Sequence, residues 1–194
     1  KGKNDLTGLL SLIERLPLAE CGQVKAVHAL NRLMPHGDWY GEALGIKMSD
    51  EESGELTLAF SMLDISEKSL EGEFDSRCPI CATKENTINV IREKMEADGI
   101  SFNTEEMKPP HHVPADSDFV KTLLSAYEKY SGRKGECIAI GGGTYVHNLK
   151  NGVAFGAALP ETENHMHGPD EFAVVDELTM SAKIFAQVIV DLCC

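Results

Sequence analysis

Residues 55–65 read "ELTLAFSMLDI", and the fold of the first half depends on whether this run is a helix or a strand. Leu56, Leu58, Phe60 and Met62 recur in steps of two, with Thr57, Ala59 and Ser61 between them. A helix repeats its faces about every 3.6 residues and a strand every two, so the spacing predicts a strand with those four side chains on one face. Residues 69–80, "SLEGEFDSRCPI", alternate Leu70, Gly72, Phe74 and Ser76. Ser66, Glu67 and Lys68 lie between the two runs, and the pair reads as an antiparallel hairpin.

Outward from the hairpin, Thr83 is the expected cap of a helix running through Ala97, with Glu85 in its first turn and Gly99 at its end. A strand is expected near Ile100 to Met107. Upstream, Leu6, Leu9, Leu10, Leu12, Ile13 and Leu16 predict a helix from Asp5 that Pro17 stops. Val24, Val27, Leu30 and Leu33 predict a second from Gln23 to Leu33, closed by Met34-Pro35. A helical opening followed by strand, strand, helix, strand suggests a small α+β sandwich.

Pro109 and Pro110 punctuate the chain, which places a boundary there: residues 1–109 form one unit and 110–194 another. In the second, a helix is expected from about Asp116 to Tyr130, with Phe119, Leu123, Leu124 and Tyr127 on one stripe. "ECIAIGGGTY" reads as a buried strand entering a glycine loop, and "GVAFGAALP" as a second short strand. A last helix is expected over Asp176 to Leu192, with Leu178, Phe185, Val188, Ile189 and Leu192 inward. There are no internal repeats and no low-complexity tract.

The bulk numbers exclude some function classes. With 18 Lys and Arg against 31 Asp and Glu, the 194-residue chain carries a formal charge of −13. Phosphate neutralisation needs clustered cations, so nucleic acid is not expected as a partner. No run approaches the roughly eighteen apolar residues of a membrane helix, so no membrane partner is expected either. The first residues lack a signal peptide, and they also lack an initiator Met, as a chain that starts mid-protein would. The six cysteines, Cys21, Cys78, Cys81, Cys137, Cys193 and Cys194, read as reduced thiols of a cytoplasmic protein.

Each candidate motif has two readings. Cys78-Pro79-Ile80-Cys81 could be a redox pair or half a zinc knob. A redox pair should open a helix, whereas this one closes a strand, and no second pair of ligands follows at zinc spacing, so two packed or edge thiols are the preferred reading. His36-Gly37-Asp38, Glu51-Glu52 and His167 could make a zinc-hydrolase set, but "SDEESGE" reads as a solvated turn and His36 follows a helix end. Gly141-Gly142-Gly143-Thr144 exposes successive N–H groups to an anion; Tyr145 replaces the Lys of a phosphate loop, so a carboxylate or a peptide backbone suits it better, and a tight turn is the other reading. Arg77 suits a carboxylate bidentately, or pairs with Asp75 or Glu73. In "ENHMHGPDEF", residues 163–172, two histidines stand one residue apart, which is too few donors for a metal without help from elsewhere.

Taken together, "IGGGTYVHNLKNGVAFGAALP" and "HMHGPDEFAVVDELTMSAKIFAQVIVDL" resemble the C-terminal end of the M20 family of zinc peptidases, most closely its dipeptidase V branch of Xaa-His or carnosinase-like dipeptidases. "GKNDLTGLLSLIERLPL" through "DSRCPI" and the helix after it resemble that family's lid domain. The resemblance implies an α+β lid, a two-layer ferredoxin-like sandwich, followed by the C-terminal α/β segment of a zinc-peptidase catalytic domain. It implies that His167 is a zinc ligand and His165 is not, and that Asp170 or Glu171 orients the imidazole. Arg77 would hold the carboxylate of a small peptide substrate, and Gly142, Gly143 and Thr144 would contact substrate. The family's strand-borne H-x-D, bridging aspartate, Glu-Glu pair, further acidic ligand and lid histidine have no match in this chain. The implied function is therefore part of a dinuclear zinc dipeptidase, with two Zn per full-length chain, no catalytic residue in this chain, and a fragment that is inactive and self-associates. The alternatives are another acyl-amino-acid hydrolase (deacylase) of the family, or a non-catalytic lid-like dimerisation or small-anion-binding module.

Overall fold

The structure, a computed structural model, describes residues 3–156 and 159–194. The chain divides into two compact units: residues 1–111 with 139–142, and residues 112–138 with 143–194.

The first unit opens with α1 (Asp5–Ile13) and α2 (Gly22–Leu33). Asn4 caps α1, its side chain accepting from Thr7 N–H at 2.9 Å and donating to Phe60 O at 2.8 Å. The expected extension to Leu16 is a tightened end in which Arg15 and Leu16 N–H bond three residues back. Two short strands follow, β1 (Ser49–Asp50) and β2 (Gly54–Glu55), and then the hairpin of β3 (Thr57–Ile65) and β4 (Leu70–Arg77), both pairs antiparallel. α3 (Ile88–Ala97) completes the unit. Leu10, Val27, Leu30, Leu33, Leu44, Ile46, Leu56, Leu58, Phe60, Ile91 and Met95 form one buried core.

Three expectations for this unit need correction. Met62 was expected inward, yet it is 61% exposed. The register shifts between Phe60 and Met62, leaving Ser61 as an extra residue on β3. A bulge of this kind bends the strand and moves the later side chains to the other face; Leu63, not Met62, packs on the core. The α3 helix starts four residues later than a cap at Thr83 implies, with Thr87 in the cap position. Thr83 instead shares a reciprocal turn with Asn86: Thr83 N–H donates to Asn86 Oδ1 at 2.7 Å, and Asn86 N–H to Thr83 Oγ1 at 3.3 Å. Residues 101–107 form no strand. Side chains hold them rather than a ladder, with Phe102 stacked on Phe74 at 5.9 Å and Arg92 Nη2 donating to Thr104 O at 2.7 Å.

The second unit is built on two helices, α4 (Asp118–Ser131) and α5 (Val175–Cys193). Ser117 caps α4, and Gly132 ends it in the left-handed region. Leu123 and Ala126 of α4 meet Ile184 and Val188 of α5, with Phe155 edge-on to Phe185 at 5.4 Å. Gln187 adds a polar clasp, accepting from Lys129 Nζ at 2.7 Å and Tyr130 Oη at 3.0 Å.

Here too the structure differs from expectation. Residues 136–140 form no strand, and Ile138 and Ile140 are 81% and 58% exposed. Residues 152–156 form none either; the rest of that expected strand, Ala157 and Ala158, lies outside the described residues. Strands buried on both faces take their backbone partners from a larger parallel sheet, and no parallel pair occurs among the described residues. Of the stripe expected inward on α5 only Val188 is buried; Leu178, Phe185, Ile189 and Leu192 are exposed, and Ser181 and Ile184 take their place. The helix is apolar on two stripes, and α4 covers one. The architecture is thus mixed α and β with small antiparallel sheets.

Candidate functional site

The fold sets Arg77 at the end of β4, opposite Thr57. Its guanidinium Nη1 donates to the carbonyl oxygen of Gly141. A Cβ on Gly141 would stand 3.0 Å from Arg77 Cδ, so glycine is what lets the backbone come this close. Among the described residues no carboxylate pairs with Arg77; of the two partners suggested by the sequence, Asp75 and Glu73, Asp75 accepts instead from Ser61 Oγ at 3.1 Å. The arginine therefore meets the start of the glycine run and faces a carbonyl oxygen, which can exchange for another oxygen acceptor.

Gly142 follows at the same place, its ideal Cβ position 3.3 Å from Arg77 Nη1. Gly143 and Thr144 belong to the second unit. Thr144 is extended and leads into a single 3-10 turn, Tyr145–Asn148, without capping it through its side chain.

His167 lies in the second unit, on the exposed loop before α5. That loop is sharply folded. His165, His167 and Asp170 have φ of 56°, 63° and 57°, the left-handed region that residues with a Cβ seldom enter. Gly168 N–H bonds His165 O at 2.7 Å, Phe172 N–H bonds Asn164 O at 3.2 Å, and the His165 ring meets Phe172 edge-on at 5.8 Å. His165 thus packs within the loop. A zinc centre needs three or four protein donors, and the described residues contain no group of three or more His, Cys, Asp or Glu side chains that could hold a metal. His167 does not make a metal site by itself.

The other motifs have structural roles. Asp38 accepts from the N–H groups of Tyr40, Glu42 and Ala43, so it ties a loop. His36 Nδ1 bonds Thr7 Oγ1 at 3.0 Å. Glu51 and Glu52 are exposed in the turn between β1 and β2. Cys78 and Cys81 are free thiols, and desolvation first, with the Asp50 carboxylate next, raises the Cys81 thiol above its usual range.

One pair was missed in the sequence. Asp50 accepts from Glu52 N–H, Ser53 N–H and Cys81 N–H, and Ser53 Oγ accepts from Ile80 N–H at 2.8 Å. These bonds, led by the amide and hydroxyl of Ser53, hold the Asp50 carboxyl at about 2, below its ordinary 3.8. The Asp-x-x-Ser spacing is a turn signal, visible in "SDEESGE".

The chain matches the model of peptidase family M20/M25/M40 over residues 10–191. The chain belongs to this family. Among its M20 relatives is a protein of Bacillus subtilis (strain 168), YtjP, named as a dipeptidase, 41% identical over 159 residues that cover 80% of this chain and 33% of the relative. A Beta-Ala-Xaa dipeptidase of Lactobacillus delbrueckii subsp. lactis is 33% identical over 193 residues, covering 98% of this chain and 40% of the relative. This M20 chain thus spans well under half the length of these relatives. Among the described residues no helix is long and apolar enough to cross a membrane.

Proposed function

We propose that this chain is the lid and the C-terminal catalytic segment of a cytoplasmic dinuclear zinc dipeptidase, acting on dipeptides with a free C-terminal carboxylate. In this reading residues 1–109 are the lid, a ferredoxin-like two-layer sandwich in the full-length enzyme, and residues 110–194 complete the catalytic domain. Family membership and the dipeptidase names of the relatives support it. The observation that carries the substrate role is the Arg77 guanidinium, exposed, without a carboxylate partner among the described residues, and bonded to a backbone oxygen at the glycine run.

Arg77 binds the substrate's carboxylate through its planar fork of donors, which a lysine could not reproduce. Gly142 and Gly143 keep side chains out of the way of the peptide, and Thr144 borders it. Recognition of the free carboxylate restricts the enzyme to short peptides. His167 contributes one imidazole donor to one of two zinc ions, and the left-handed backbone presents that ring outward. The remaining ligands and the general base belong to parts of the full-length enzyme beyond this chain, so the chain alone does not hydrolyse peptides.

The test uses the full-length enzyme. Arg77→Ala raises KM for dipeptides far more than for dipeptide amides, which lack the carboxylate. A lost bond to a charged group is worth about 1.5–3 kcal/mol, so the expected ratio is about ten- to hundredfold. Equal effects on the two substrates would make Arg77 a structural residue.

A further inference from the structure

The segment that leaves Arg77 is held from outside its own hairpin. The Arg77–Thr57 pair is the last rung of the β3–β4 ladder, and end rungs fray because they have a neighbour on one side only. Three and four residues on, two successive amides are captured. Ile80 N–H donates to Ser53 Oγ at 2.8 Å, and Cys81 N–H donates to Asp50 Oδ2 at 3.2 Å. The two acceptors are themselves coupled, since the Ser53 hydroxyl lies 2.8 and 2.9 Å from the two Asp50 oxygens and donates to the carboxylate. Asp50 Oδ1 also takes the N–H groups of Glu52 and Ser53, so the acceptor pair is rigid before the amides arrive. Pro79, buried between Cys78 and Ile80, lacks a donor, and its carbonyl accepts from Ala82 N–H at 3.0 Å to close the turn. Asn86 Nδ2 holds Cys81 O at 3.0 Å.

The β1–β2 turn that supplies these acceptors buries none of its residues from Ser49 to Glu55. It adds little to the core, and its polar side chains are spent on the segment after Arg77. Asp50 remains ionised at any ordinary pH, which keeps it an acceptor on both oxygens. The side chain of Arg77 is long and exposed, so its aim depends on where its Cα is held.

We propose that Asp50 and Ser53 are positioning residues for Arg77: by capturing the Ile80 and Cys81 amides they keep the end of β4 from fraying and fix the point from which the guanidinium reaches a substrate carboxylate. The inference rests on the substrate role given to Arg77 above.

The experiment compares Ser53→Ala, Ser53→Thr and Arg77→Ala in the full-length enzyme, with dipeptides and dipeptide amides as substrates. Ser53→Ala removes the acceptor of Ile80 N–H and the donor to Asp50. It raises KM for dipeptides about three- to tenfold, the scale of one or two lost hydrogen bonds, and leaves kcat and the amide KM unchanged. Ser53→Thr, which keeps the hydroxyl, restores KM. Hydrogen exchange of the peptide spanning residues 76–82 quickens in Ser53→Ala, with exchange in α3 unchanged. If Arg77→Ala shows the carboxylate-specific effect and Ser53→Ala does not, the positioning role is overturned and the substrate role stands. If Ser53→Ala lowers the melting temperature and impairs both substrates equally, its role is structural alone and the proposal fails. If Arg77→Ala affects both substrates equally, the substrate role falls and this proposal with it.

Discussion

Replacing Gly41 by alanine tests how tightly the first core is specified. Gly41 has φ of +69°, and a Cβ there would stand 2.5 Å from Ile46 Cγ1 and 2.9 Å from Ile46 Cδ1. Carbon atoms pack at about 3.5–4.0 Å, so Ile46 must retreat by about 1 Å. It has nowhere to go: Ile46 is 1% exposed, its neighbours Leu44 and Leu56 are fully buried, and Ile46 N–H is tied to Gly41 O at 3.0 Å. The left-handed backbone costs a residue with a Cβ about 1–2 kcal/mol, and overpacking costs about 1–3 kcal/mol. The expected loss is therefore about 2–5 kcal/mol. Gly99→Ala is the control, because Gly99 also has positive φ (+76°) but nothing within 4 Å of its Cβ position. It should show the backbone cost alone. Trp39, the single tryptophan, lies in the first unit and reports its unfolding in urea. Equal midpoint shifts for Gly41→Ala and Gly99→Ala would refute the packing argument and leave only the backbone cost.

Three further outcomes are expected. The Asp50 carboxyl has a folded pKa of about 2 against an ordinary 3.8, so its stabilisation is complete above about pH 4 and fades as pH falls toward 2; acid unfolding curves for the chain and for Asp50→Asn should converge over that window, and curves that stay parallel would contradict the linkage. In the full-length enzyme His167→Ala should lose most of the metal at one of two sites while His165→Ala changes little, read by metal content after dialysis; equal losses would undo the assignment. The exposed Leu178, Phe185, Ile189 and Leu192 on α5 form an apolar stripe that a second copy of the 194-residue chain would cover; light scattering over a dilution series should show self-association weakened by Ile189→Glu, and a clean monomer at micromolar concentration would count against it.

Elements whose partners are local could be read from the sequence. α2 and α4 fall within two residues of their expected ends at the N-terminus and within one at the C-terminus, because an apolar stripe and a stop signal are written nearby, and Ser117 caps α4 as well. The hairpin was legible for the same reason. The strands expected at 100–107, 136–140 and 152–156 were not formed, since an apolar run becomes a strand only when another backbone accepts its hydrogen bonds. α5 was found but its inner face was not: two apolar stripes fit the helical period, and only the position of α4 chooses between them. In the candidate site, Arg77 and the glycine run were legible as chemistry, but their meeting at Gly141 O joins residues 64 apart in sequence and required the fold. The bonds from Asp50 and Ser53 to Cys81 and Ile80 span 31 and 27 positions, so the turn could be read and its purpose could not.

The extra residue at Ser61 gives β3 a change of parity. Leu58 and Phe60 face the core on even positions and Leu63 on an odd one. A single-residue deletion at Ser61 would straighten the strand and leave all three facing as they do now. The same deletion at Ala59 would turn Phe60 to solvent. The strand thus carries its one spare residue at a fixed place, and natural variation in its length should collect there, as insertions in a text survive only between words.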